Sequence, residues 1–93
     1  EMLMLISSEL GEAMEAHRKG KFADWENYHK NVSVLGPKKA FETYIKDRFE
    51  DEVIDAVLRL YDMAAGLNID LDKHIQAKLN YNRSRERFHG KKY

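Results

Sequence analysis

The chain contains no cysteine. Disulfide frameworks and thiolate metal sites are therefore excluded, and a metal here would be held by oxygen or imidazole nitrogen. Proline occurs once and glycine five times in 93 residues, so long stretches carry no helix breaker. The formal net charge is zero, without the excess of one sign that grips nucleic-acid polymers or anionic membranes. The apolar run "MLMLI" at 2–6 is far too short to span a bilayer and lacks the basic flank of a signal peptide. The expected location is the cytoplasm, with neither a membrane nor a nucleic-acid polymer as partner.

What is present is charge and helical periodicity. Charged residues make up 34% of a chain whose length gives one domain with a marginal core, so self-association would help it. The charge is uneven. Residues 42–72 hold nine acids against three bases, and residues 78–93 hold six bases against Glu86 alone. An acidic middle and a basic end could take a cation and an anion side by side, or be ordinary solvated faces.

The pattern predicts an all-α single domain over 1–93. A first helix runs over about 1–18 and is stopped by Gly20. Glu1 stands at its start with no evident capping residue, which leads us to expect a missing N-terminal segment. A connector covers 20–37, where Trp25, Tyr28, Val32 and Leu35 allow a short helical piece before Gly36-Pro37 closes it. A second helix covers 38–65. Its apolar stripe rotates after Ile45, so a kink or break is expected near 46–48. Gly66 ends it, Asp70 caps a third helix over 70–85, and residues 86–93 form an irregular basic tail.

One feature of the first helix is out of place. Stepped at about 100° per residue, Met2, Leu3, Leu5, Ile6, Leu10, Ala13, Met14 and Ala16 form a single apolar arc, and Glu9 falls inside it. Glu12 lies just past the edge on the same side. The second long helix repeats this: Glu52 borders its apolar stripe and Asp55 sits three residues on. Glu50 also falls within an apolar arc but has no chemical role, so a partner-subunit salt bridge or the start of the helix must explain it.

If the two helices pack antiparallel, both acidic pairs converge. Clustered carboxylates repel one another and are costly to desolvate, which is tolerable only with a cation or with protonation. A set of hard oxygens without sulfur or histidine suits Mg²⁺, with Mn²⁺ as a substitute. Mg²⁺ commonly completes its shell with water and phosphate oxygens, which points to a phosphorylated substrate.

The order E-x-x-E (Glu9, Glu12), E-x-x-D (Glu52, Asp55) and K-x-x-x-N-R (Lys78, Asn82, Arg83) resembles the MazG-like all-α nucleoside triphosphate pyrophosphohydrolases. The flanking stretches "SELGEAMEAHRKG", "FEDEVIDAVLRLYDMAAGLNIDLDKHI" and "YNRSRERFHGKKY" carry the likeness over most of the chain. The resemblance implies a helical bundle completed by a homodimer or a dimer of dimers. It also implies Mg²⁺-dependent conversion of a (d)NTP and water to (d)NMP and pyrophosphate, as nucleotide-pool housekeeping. Under it, Glu9, Glu12, Glu52 and Asp55 are metal ligands, Glu9 or Glu12 is the general base, and Lys78, Asn82 and Arg83 bind substrate phosphate. Trp25, Tyr28 and Tyr61 are available to meet a base, though none falls on a motif.

Two other readings stand beside it. A non-catalytic helical module could use the acids to bind metal or nucleotide. Phosphoribosyl-ATP pyrophosphohydrolase is the enzymatic neighbour with the same helical scheme. A di-iron bundle would need E-x-x-H pairs on long core-facing helices, but Glu26/His29 lie in the connector and Glu86/His89 in the tail. His17 and His74 read as surface histidines.

Overall fold

The computed structural model describes the backbone from Glu1 to His89 and the side chains as far as Arg85. These residues form five helices and no strand: α1 Met2–Arg18, α2 Trp25–Leu35, α3 Pro37–Tyr44, α4 Phe49–Gly66 and α5 Leu71–His89. The chain is all-α, as its periodicity predicts. It divides into two compact units, Glu1–Leu60 and a second from Tyr61 onward, with the division inside α4. No described helix is long and apolar enough to cross a membrane.

The helix ends follow from local chemistry, and three of them differ from the sequence reading. Glu1 does cap α1: its carboxylate accepts a bond from the Leu3 N–H at 2.6 Å. The connector is largely helical, because Asp24 caps α2 by accepting from the Asn27 N–H at 3.1 Å. The second long segment is two helices, with the break at 45–48 where the rotation of the apolar stripe predicts a kink or break. Gly36 adopts φ 88°, a left-handed value that L-residues rarely take, and Pro37 opens α3 at a position where its missing N–H is not needed. The third helix continues past residue 85 to His89, through Arg-rich sequence with good helix propensity. The rest of the expected irregular tail, residues 90–93, lies outside the described residues. Asp70 caps α5 as predicted, accepting from the Lys73 N–H at 3.1 Å.

The break between α3 and α4 occupies residues 45–48. Asp47 takes φ 63°, and the Asp51 carboxylate holds it there by accepting its N–H at 3.0 Å. The loop after α1 docks on this elbow. Phe49 N–H donates to the Lys21 carbonyl at 2.8 Å, and Asp24 N–H donates to the Tyr44 carbonyl at 2.9 Å. Arg48 donates to the Phe22 carbonyl at 2.9 Å. Glu50, which had no assigned role, accepts the Ala23 N–H at 2.8 Å. It therefore has an internal role as a clamp on the loop after α1. Three of these bonds fasten the start of α4 to the loop after α1, and the Asp24–Tyr44 bond fastens the end of α3.

Within the first unit α1 and α4 run antiparallel. His17 meets Phe49 near one end, with ring centroids 5.1 Å apart, and Glu9 meets Arg59 at the other. His17 is exposed, as a surface histidine should be, and its ring also packs edge-on against Phe22. The buried apolar residues are mostly small: Ile6, Ala13, Ala16, Ala40, Ile45 and Ala56. Of the α1 arc only Ile6, Ala13 and Ala16 are buried. Leu3, Leu5 and Leu10 are exposed, with Met4 at 71% and Met14 at 63%. The arc is therefore wider than the neighbour that covers it.

Candidate functional site

The antiparallel crossing brings three of the four predicted carboxylates together. Glu9 and Glu12 come from successive turns of α1 and Glu52 from the first turn of α4. One oxygen from each lies within 4.8 Å of the others. The acids at the start of α4 are favoured locally by the positive end of the helix dipole. The fold then drives one of them inward.

The three environments differ. Glu12 is exposed. Glu9 has 14% of its side chain exposed and accepts a bond from Arg59 Nε at 3.0 Å. Glu52 is 7% exposed, and its Oε2 is buried without a hydrogen-bond partner. Burial pushes the Glu52 carboxyl from its ordinary 4.5 up to about 7. A hydrogen bond shared with Glu12 adds to the rise, as do the charges of Glu12, Asp55 and Glu9. Three carboxylates against one guanidinium leave two negative charges when all are ionised.

Asp55 is not part of the three-oxygen group. It is half-buried and lines a separate cavity of about 540 Å³ with Trp25, Phe41, Ile54 and Leu58. Burial raises its pKa, the charges of Asp51 and Glu9 raise it further, and Arg59 opposes them. It feels the cluster's field without joining its oxygens. Lys78, Asn82 and Arg83 lie on α5 in the second unit. There the Lys78 ammonium sits 5.3 Å from the centre of the Tyr81 ring, Asn82 is half-buried and Arg83 is exposed.

The di-iron reading loses its connector pair. Glu26 faces Lys30 at 3.8 Å, while the His29 ring stacks on Trp25 at 5.8 Å. The side chains of Glu86 and His89 lie outside the described residues.

Three functional contacts escape sequence reasoning. Arg59 neutralises Glu9, and the only available signal was its position one turn beyond Asp55 and two beyond Glu52 on the same flank. Lys19 and Lys21 line a cleft of about 380 Å³ together with Glu12, Glu15 and Glu52. Their signal was the run "HRKGK" one turn after the E-x-x-E pair. The fold and this acidic centre define the chain as an all-α protein with a buried carboxylate site. Comparison with protein-family models, with curated proteins and with solved structures gives no match.

Proposed function

We propose that this protein is a Mg²⁺-dependent nucleoside triphosphate pyrophosphohydrolase of the MazG-like kind. The observation that carries the reading is Glu52, which buries an oxygen with no partner while facing two further carboxylates. A carboxyl buried beside two others is expensive to ionise, and such expense is concentrated at sites that bind or react. The ordered E-x-x-E and E-x-x-D strings supply the chemical direction.

The donor set fits Mg²⁺. All three groups are hard oxygens, and the residual double charge matches a divalent ion. One oxygen of each residue lies within 4.8 Å of the others, so the three could close on one ion by side-chain movement. Glu9, Glu12 and Glu52 would hold the ion, with Asp55 close enough in charge to assist. When bound, Mg²⁺ supplies charge neutralisation for the phosphates and lowers the pKa of water.

The protein's own groups divide the remaining work. Water attacks the α-phosphorus, the bond from that phosphorus to the α–β bridging oxygen breaks, and pyrophosphate leaves. The water's proton passes to a carboxylate. Glu12 is better placed than Glu9 to take it, because Arg59 already holds Glu9. Arg59 also fixes the Glu9 rotamer, so that carboxylate needs no reordering when a ligand arrives.

The test is pyrophosphate release from a panel of NTPs and dNTPs, with and without Mg²⁺. Release from at least one nucleotide only in the presence of Mg²⁺ is expected. No release from any nucleotide by folded protein would favour the non-catalytic binding module.

The proposed assembly is a homodimer or a dimer of dimers. Its support is the α1 face, where large apolar side chains that periodicity assigns to a core stand open in one chain. Isolated exposed leucines are ordinary, but a row along one helix marks an interaction surface. Sedimentation at tens of micromolar should give twice or four times the 10.9 kDa chain mass. A monomer at that concentration contradicts the assembly.

A further inference from the structure

We propose that Lys21 is the cation that grips the phosphate chain of the substrate at the carboxylate cleft. This rests on the pyrophosphohydrolase reading and adds to it a contact that neither motif contains.

Gly20 takes φ 69°, which turns the chain sharply out of α1. Lys21 N–H then donates to the Ala16 carbonyl at 2.9 Å, and the Lys21 carbonyl accepts from Phe49 N–H at 2.8 Å. Lys21 is therefore bonded at once to the helix that carries Glu9 and Glu12 and to the helix that carries Glu52. Its Cα cannot move independently of the carboxylates.

Its side chain lines the same cleft as Glu12 and Glu52. The neighbouring Lys19 spends its charge on Glu15 at 3.4 Å. Among the described residues, Lys21 has no carboxylate partner, although acids surround the cleft. Its side chain is exposed, so the ammonium is hydrated and not paired, and it can reach an anion bound in the cleft. Glu52 lines the same cleft and buries its Oε2 with no hydrogen-bond partner, a separate observation that points to a ligand there. Unspent charges of both signs in one cleft match a divalent cation carried with a polyphosphate. A lysine ammonium is a compact point charge that binds phosphate oxygens without needing a fixed fork geometry.

The experiment measures two quantities on the full chain: calorimetric binding of inorganic pyrophosphate in Mg²⁺, and NTP turnover. The proteins are wild type, Lys21→Ala and Lys21→Arg. Both backbone bonds of residue 21 survive either substitution, so the fold is preserved. Lys21→Ala should weaken pyrophosphate binding roughly 10- to 100-fold, the effect of losing one charged hydrogen bond. It should raise KM for the nucleotide by a similar factor, and Lys21→Arg should restore most of both. Wild-type and Lys21→Ala proteins binding pyrophosphate equally would overturn the inference, as would wild-type protein failing to bind it. If pyrophosphate binds through Lys21 but no nucleotide is hydrolysed, the contact stands and the pyrophosphohydrolase reading fails. If nucleotides are hydrolysed with KM unchanged in Lys21→Ala, the reading stands and the contact fails.

Discussion

Glu52→Ala should lose more than about 100-fold in pyrophosphate release while keeping its helical circular-dichroism spectrum. Removing groups that merely support a metal ligand costs 10- to 100-fold, so loss of a direct ligand should exceed that range. Glu52 is the member of the cluster whose charge has no other use. Glu9 is already paired with Arg59, and Glu12 faces solvent. Only Glu52 buries an oxygen that nothing in the described chain satisfies. The fold should survive because the bonds that seat α4 belong to its neighbours: Phe49 N–H on Lys21, and Glu50 on Ala23. Glu52→Gln provides the sharper control. It keeps the shape, and its amide can donate to Glu12, yet it cannot supply the negative charge. It should be as inactive as the alanine variant. Full activity in either variant would remove Glu52 from the site and take the proposed function with it.

The two helices that build the cluster were readable because amphipathic periodicity is a strong signal and the acids interrupt it. Glu9 was legible as an inward carboxylate, and the fold places it at 14% exposure. Asp55 reads as the equal of Glu12 by spacing, since both lie three residues after a partner. Its side chain is one methylene shorter, and on α4 that turn looks into the cavity beside Trp25. Spacing along one helix cannot tell which of two adjacent clefts a residue enters. The break near residue 47 was legible from the rotation of the apolar stripe. Its cause was not, because no glycine marks the left-handed Asp47 and the Asp51 bond holds it there. Glu50, Arg59 and Lys21 act through partners 27 to 50 residues away in sequence, or through a loop docked on the elbow. No local pattern encodes such pairs. The α1 arc shows the remaining limit. Periodicity says that a face wants cover, but not whether the same chain supplies it.

Without divalent ions, wild-type protein should become less stable as pH rises from about 4.5 to about 7, and Glu52→Gln should lose that slope. The folded state holds a proton on Glu52 up to about pH 7, whereas the unfolded chain releases it near 4.5. Between those values the folded state binds more protons, so stability falls with increasing pH and levels off above 7. At about 1.4 kcal/mol per pH unit the difference amounts to about 3 kcal/mol. Asp55 is shifted in the same direction and adds to the fall. Asp24 works oppositely: its pKa is lowered, chiefly by its side-chain bond to Asn27, so what it contributes is lost only as pH falls below its ordinary 3.8. It therefore does not mask the window above 4.5. Mg²⁺ should reverse the trend, because it binds the deprotonated carboxylates and its stabilisation grows as Glu52 loses its proton. Thermal melts of both proteins at pH 5 and pH 8, each with EDTA or with Mg²⁺, contain the whole test. A wild-type slope that persists in Glu52→Gln would assign it to other groups. A Mg²⁺ effect equally large at both pH values would mean that the ion does not bind where Glu52 sits.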